Sequence, residues 1–189
     1  MTDYPNWFEQ SAKHNFEHFL RLQGRQTRME CLQLGAYTGD ASVWMLNNLG
    51  EIELTDVDTW EGSDEVAHES IDFDEVYNIY CNKVERFNNV SHFRTTTQEF
   101  LMNKRNRSYS FDFIYVDADH TTVGVLLDGE LSWPLLKSGG IMAFDDYTWG
   151  HESGDPRLAP QVGIDLFLHR HQGEYELLAK NTQVWIRKQ

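Results

Sequence analysis

Met29-Glu30-Cys31-Leu32-Gln33-Leu34, then Gly35-Ala36-Tyr37-Thr38-Gly39, then Asp40-Ala41-Ser42-Val43-Trp44-Met45 is the stretch whose reading decides the fold. The first six residues are a short, mostly apolar run of the kind that forms a buried strand. Gly35 and Gly39 break it, because glycine reaches backbone conformations that other residues avoid. Asp40 to Leu49 then carries apolar residues at helical spacing and stops at Gly50, as helices do at a glycine. Strand, glycine-bracketed loop and helix, in that order, open a parallel α/β sheet.

Reading outward, the same alternation continues. Ile52 to Val57 is a second strand, and Ile71 to Phe87 a helix. Ser91 to Thr95 is a weak strand, followed by a short helix to about Lys104. Phe111 to Val116 is the clearest strand, and Val123 to Trp133 a helix that stops before Pro134. Gly139-Gly140 opens a fifth strand through Phe144, and Gln161 to His171 is helical. Tyr175 to Leu178 and Gln183 to Ile186 form a terminal strand pair turning at Asn181-Thr182. Upstream, Trp7, Phe8, Phe16, Phe19, Leu20 and Leu22 recur at roughly helical spacing and end near Gly24. With no internal repeat or linker, the expectation is one α/β domain over residues 1–189, with a leading helix over 1–26 and the core over 27–189. Its sheet is doubly wound and mostly parallel, with helices on both faces and a C-terminal antiparallel hairpin.

The chain has 189 residues, 40% of them hydrophobic, and a formal net charge of −14. That charge argues against a nucleic-acid partner, which such a surface repels. Cys31 and Cys81 are too few for a disulfide framework. No apolar run approaches the ~18 residues of a membrane span, and the first residues lack the pattern of a signal peptide, so a cytoplasmic location is expected. The acidic stretch from Glu51 to Glu75 reads either as a solvated loop and helix face or as a mobile lid over a site that holds cations. The aromatic residues near the N-terminus either form a homodimer contact or pack on the sheet.

In open α/β sheets, ligands gather beyond the carboxyl ends of the strands. Those ends are rich in chemistry here: the Gly35–Gly39 loop, Asp58, Thr97 and Gln98, Asp117-Ala118-Asp119-His120, and Asp145-Asp146. The loop is Gly-x-x-x-Gly rather than the Gly-x-Gly-x-x-Gly of dinucleotide sites. The helix after it offers free N–H groups to an anionic end of a ligand. Asp58 stands about twenty residues on, where an acid hydrogen-bonds ribose hydroxyls. Together these features point to an adenosine-containing cofactor.

Gln33-Leu34-Gly35-Ala36-Tyr37-Thr38-Gly39-Asp40-Ala41-Ser42 resembles the first motif of the class I S-adenosylmethionine-dependent methyltransferases, and Thr55-Asp56-Val57-Asp58-Thr59-Trp60 the second. Phe113 to His120 and Leu135 to Tyr147 resemble later motifs, so the likeness runs from about residue 27 onward. The resemblance implies a Rossmann-like fold and S-adenosyl-L-methionine as cofactor. It implies that Gly35, Tyr37 and Gly39 cradle the methionine part, with Ala36, Thr38 and Asp117 also on the cofactor-binding surface. Ser42 would meet the cofactor's carboxylate, Asp58 the ribose, and Trp60, Thr97 and Gln98 the adenine. Trp60 reads equally as loop packing, and Thr97 as a helix N-cap. One departure stands out: where the family usually has an acid in the first motif, this chain has Gln33.

Asp117, Asp145 and Asp146 end adjacent strands if strands four and five are neighbours. Three converging carboxylates repel one another unless something positive sits among them. A hard divalent cation such as Mg²⁺ meets that need, and capping of the following turn is the competing reading. His120, three residues beyond Asp117, is the candidate general base for an acceptor hydroxyl; the bland alternative is a surface or capping histidine. The set resembles metal-dependent O-methyltransferases, both the catechol type and the bacterial natural-product branch near macrolide-sugar and cephalosporin-type enzymes. A histidine at this position is familiar in the latter, which implies a sugar or polyketide hydroxyl as the small-molecule acceptor. The metal-free alternative is N- or O-methylation with the carboxylates as capping groups; a non-catalytic cofactor-binding protein is the third. Tyr147, Trp149 and His151, in the long loop from Tyr147 to Pro160, are candidates to line the acceptor pocket.

Overall fold

Seven strands build one sheet: β1 (Met29–Leu34), β2 (Ile52–Asp58), β3 (Val90–Arg94), β4 (Phe111–Val116), β5 (Leu136–Phe144), β6 (Tyr175–Lys180) and β7 (Val184–Lys188). Their order is β3-β2-β1-β4-β5-β7-β6. The computed structural model describes residues 4–20, 28–62, 71–104, 110–150 and 154–189. β1 to β5 pair in parallel, while β7 runs antiparallel to both β5 and β6. The terminal pair is thus the expected hairpin, with β7 inserted between β5 and β6. The strand order reverses between β1 and β4, and a crevice opens there beyond the strand ends.

Six α-helices lie among the described residues: α1 (Lys13–Phe19), α2 (Asp40–Asn48), α3 (Phe73–Val84), α4 (Thr97–Lys104), α5 (Thr122–Ser132) and α6 (Pro160–Arg170), with a π-helical turn over Phe8–Ala12 before α1. Side chains alternate across each strand and so feed two cores. Cys31, Phe113, Tyr115 and Trp185 face Phe16 of α1 and Trp44 and Met45 of α2. Leu32, Leu34, Ile114 and Val116 face Val125 of α5 and Ile164 and Phe167 of α6. The mostly parallel, Rossmann-like α/β sheet read from the sequence is the one observed.

Phe16 shows how the N-terminal aromatics are used. Its buried ring meets Trp44, Phe113, Tyr115 and Trp185 edge-on, with centroids 4.9 to 5.6 Å apart. Of the two readings of these aromatics, packing on the sheet is what the structure shows for Phe16 and Leu20. Two boundaries differ from expectation for local reasons. Helix α3 begins at Phe73 because the Asp72 carboxylate accepts from the amides of Asp74 and Glu75 and caps it. β5 begins at Leu136, so Gly139 and Gly140 lie inside the strand, where the β4–β5 register shifts between Phe111 and Phe113. A side chain on Gly140 would come within 3.0 Å of the Asp112 carbonyl, which explains the glycine. Among the described residues, no helix is long and apolar enough to cross a membrane.

Candidate cofactor and active site

The loop after β1 is shaped by a close approach. Gly35 has φ +86°, and a Cβ there would lie 1.7 Å from the Asp117 carbonyl oxygen. The chain can pass the end of β4 only with hydrogen at this position. Gly39, φ +80°, caps α2, and a Cβ on it would stand 2.9 Å from the Tyr80 ring. Tyr37, Trp60 and Asp146 are the non-glycine residues with positive φ among those described. All three lie just beyond strand ends that meet at the crevice, so backbone strain gathers where ligands bind in such sheets.

Asp58 organises this loop from the end of β2. Its Oδ2 accepts the amides of Ala36 and Tyr37 at 2.7 and 2.9 Å, and its Oδ1 that of Trp60 at 2.7 Å. The Trp60 indole N–H donates to the Tyr37 carbonyl at 2.8 Å, and its ring packs against Tyr77 and Tyr80. Only 1% of Trp60 is exposed, so its ring is packed within the loop, at the border of the cavity. Thr38 donates to Asp40, which pairs with Lys83 at 2.7 Å. Tyr37 is half-buried, its hydroxyl pushed up to about 12 by burial, and its ring lies 4.6 Å from that of Trp7.

A cavity of about 880 Å³ opens above the loop, within the size of small-molecule sites. Gly35 to Thr38, Asp58, Trp60, Thr97, Gln98, Asp117 and His120 all contribute to its wall. Ser42 does not: it is fully buried behind the loop with its hydroxyl 3.3 Å from Gln33 Oε1. The expectation that Ser42 meets a cofactor carboxylate is corrected by that burial. Thr97 is not the cap of α4 either, because Thr96 accepts the Glu99 amide and Thr97 donates to Asp128 at 2.5 Å. Gln98 Nε2 donates to the same Asp128 oxygen at 3.0 Å. Asp128 is fully buried on α5, and burial raises its carboxyl to about 7 against the hydrogen bond from Thr97. Its role was legible in principle, since Val125, Asp128, Gly129 and Ser132 form the buried stripe of α5.

The carboxylates at the ends of β4 and β5 do converge. The two strands pair through Val116 and Phe144, which places Asp117 beside Asp145 and Asp146. The His120 Nε2 lies 3.1 Å from Asp146 Oδ2 and 3.6 Å from Asp117 Oδ1. Asp117, His120 and Asp146 offer ligand atoms all within 4.8 Å of one another. Asp145 is engaged differently: it accepts the Tyr115 hydroxyl on one oxygen and the Asp146 amide, at 2.8 Å, on the other. Burial, then the charge of Asp145, pushes the Asp117 carboxyl well above the usual carboxylate range. Two carboxylates with an imidazole are a donor set that fits a divalent cation. The structure therefore groups His120, rather than Asp145, with the other two carboxylates.

Beyond this trio the wall is aromatic and apolar. The Trp149 ring lies 5.3 Å from that of His120, and Leu158 stands nearby on the cavity wall. Tyr147 is buried instead, its hydroxyl donating to Asp165 at 3.0 Å, and His151 lies outside the described residues. Asp119 accepts the Thr121 amide at 2.9 Å at the start of α5. Residues 63–70 of the acidic stretch from Glu51 to Glu75, read either as a solvated face or as a lid, also lie outside the described residues.

A family model described as a methyltransferase domain matches residues 32–147. No curated protein matches the chain in sequence. Solved structures share its fold. An O-methyltransferase from Bacillus cereus in complex with SAH aligns with a TM-score of 0.66 at 19% identity, covering 94% of this chain and 82% of that one. The N-methyltransferase NodS from Bradyrhizobium japonicum, in complex with S-adenosyl-L-homocysteine, aligns at 0.63 and 15% identity over 99% and 93%. MycE, from the mycinamycin biosynthetic pathway and in complex with Mg and SAH, aligns at 0.59 and 15% identity over 100% of this chain and 51% of that one.

Proposed function

Because the chain belongs to the methyltransferase-domain family, we propose that it transfers a methyl group to a hydroxyl of a small neutral or cationic molecule, with a divalent cation at the site of transfer. It is an S-adenosylmethionine-dependent methyltransferase. The observation that carries the finer reading is the meeting of Asp146 with Asp117 and His120, which line the cavity next to Trp149. Bound S-adenosylmethionine supplies an electrophilic methyl on a sulfonium, so the protein's task is to orient the acceptor and make its oxygen nucleophilic. Gly35 to Thr38 leave backbone room for the cofactor, and Asp58 holds that loop in place. Asp117, His120 and Asp146 would hold the cation, which when bound lowers the pKa of a hydroxyl placed against it. An imidazole among the donors widens the choice beyond Mg²⁺ to softer ions such as Mn²⁺.

The acceptor's charge class follows from the wall. Among the described residues that form it there is no lysine or arginine, while Asp40, Asp58, Asp117 and Asp119 are all present. An anionic acceptor, nucleic acid included, would meet these carboxylates, with counter-charge only from the proposed cation and from Lys83 behind Asp40. Trp7 and Trp149, each partly exposed on the wall, suit a flat apolar face on the acceptor.

A metal-free reading rests on the 3.1 Å contact between His120 and Asp146. With Nε2–H donated to Asp146, Nδ1 is the basic nitrogen and takes the acceptor's proton. One nitrogen cannot serve both readings, so chelation separates them. Turnover against a panel of hydroxyl and amine acceptors is expected to fall to background in EDTA and to return with Mg²⁺ or Mn²⁺. Full turnover in chelator would reject the metal and leave the His120–Asp146 base standing.

A further inference from the structure

The buried polar network behind the cofactor loop plays no part in the chemistry above. Gln33 on β1 and Asp56 on β2 are register partners, so both point to the sheet face covered by α2. Asp56 and Ser42 are fully buried, and Gln33 is 2% exposed. Gln33 Nε2 donates to the Gly35 carbonyl at 2.8 Å, which orients the amide and leaves Oε1 as an acceptor. The Ser42 hydroxyl stands 3.3 Å from that Oε1 and also lies close enough to Asp56 to favour its ionised form. Tyr80 donates to Asp56 Oδ2 at 2.7 Å, while Oδ1 has no closely placed donor among the described residues.

A serine hydroxyl has one proton, and here two acceptors compete for it. With Asp56 ionised, Ser42 turns its proton to the carboxylate, and Oε1 of Gln33, a residue that borders the cavity, is left without that donor. With Asp56 protonated, the carboxyl donates to Ser42, Ser42 donates to Gln33, and Oε1 is occupied. We propose that Asp56 is a positioning residue for the ammonium end of the cofactor: ionised, it frees Gln33 Oε1 and puts beneath it the negative charge that Gln33 lacks. This rests on the S-adenosylmethionine reading of the cavity.

The surroundings support the assignment. Burial, helped by the charge of Asp58 and opposed by Tyr80 and Ser42, raises Asp56 to about 7, so both states are reached near neutral pH. The other groups facing it are Cys31 and Gln33 on β1, His92 as register partner on β3, Ser42 on α2 and Tyr80 on α3. Burial pushes the Cys31 thiol up and the His92 imidazole down, so neither offers a positive charge. A ligand's ammonium is then the counter-charge this buried acid is built to meet.

The test counts protons by calorimetry in buffers of different ionisation enthalpy. Two probes are compared: S-adenosylhomocysteine, and 5′-methylthioadenosine, which keeps the adenosine thioether and has no amino-acid end. S-adenosylhomocysteine is expected to release a proton on binding near pH 7 and to gain up to about tenfold in affinity between pH 6 and pH 8. Methylthioadenosine is expected to show neither effect. Asp56→Asn should abolish the release and flatten the profile. The wild-type-minus-variant difference separates Asp56 from Asp117, His120 and Asp128, which also border the cavity or hold its wall. Should Asp56→Asn fail to fold, Ser42→Ala cuts the relay and is expected to reduce the pH effect to below about threefold. Proton release that survives in Asp56→Asn or is undiminished in Ser42→Ala, equal release with methylthioadenosine, or none in the wild type overturns the proposal. A wild type that binds no S-adenosylhomocysteine at all rejects the cofactor reading instead.

Discussion

His120 is held by two carboxylates and shielded by an indole, and its single Nε2 lies within reach of both Asp117 and Asp146. Under the proposed function, whether that nitrogen binds a cation or a carboxylate, the imidazole would stand beside the reacting groups. His120→Ala is therefore expected to lower turnover by roughly 10²- to 10⁴-fold while changing S-adenosylhomocysteine affinity less than about twofold. Steady-state rates beside calorimetric affinities check this; an unchanged rate would remove His120 from the chemistry. Gly35 tests the loop at the same scale. A methyl group there would overlap the Asp117 carbonyl in a backbone conformation that side chains avoid. Gly35→Ala is expected to cost about 2–4 kcal/mol of stability and to weaken cofactor binding more than tenfold. Urea unfolding and calorimetry read the two effects, and a variant neutral in both would show that the loop relaxes.

Helix α4 carries Thr97 and Gln98 to the cavity, and both are tied to Asp128 on α5. That attachment has a pH cost. Asp128 is raised from 3.8 to about 7 by burial, so between those values the folded protein keeps a proton that the unfolded chain releases. The stability it contributes is full below about pH 4, declines as pH rises toward 7, and then levels off. Asp128→Asn still accepts from Thr97 and Gln98 but has no charge to bury. It is expected to raise stability by about 1–3 kcal/mol at pH 8 and to change it little at pH 4. Urea midpoints at the two pH values decide; equal shifts at both would mean that folding leaves the titration of Asp128 unchanged. This connection was only partly visible beforehand. Thr97 and Gln98 follow a strand and so attract notice, but what they bind lies 30 residues away on another helix, and spacing alone does not bring the two together.

At the scale of the molecule, two cores on opposite faces of one sheet hold the strand ends in register, and Phe16 fastens the N-terminal helix to one of them. Phe16→Ala is expected to cost about 3–5 kcal/mol, read by urea unfolding, because its ring touches five aromatic neighbours, Phe8 among them. A loss under about 1 kcal/mol would mean that the helix is an appendage. Most of this architecture was legible in the chain itself. Periodicities of two and about 3.6 identified strands and helices, and Phe111 to Val116 was read with its observed bounds, since apolar alternation is a local property. Gly35, Gly39, Asp58, Asp117 and His120 were also legible, because residues just past strand ends must lie at one edge of a parallel sheet. Which carboxylate joins His120 was not. Asp145 and Asp146 are neighbours in sequence, and only the pairing of β4 with β5 turns Asp145 under Tyr115 and leaves Asp146 facing the imidazole. Nor was Asp56 singled out, although it continues the inward alternation of Ile52 and Leu54. Its meaning depends on Gln33 across the strand pair and on Ser42 above it. Local pattern determines the elements and the edge at which they end. The partner of each buried polar group is set by long-range contacts, and those exist only once the sheet has closed.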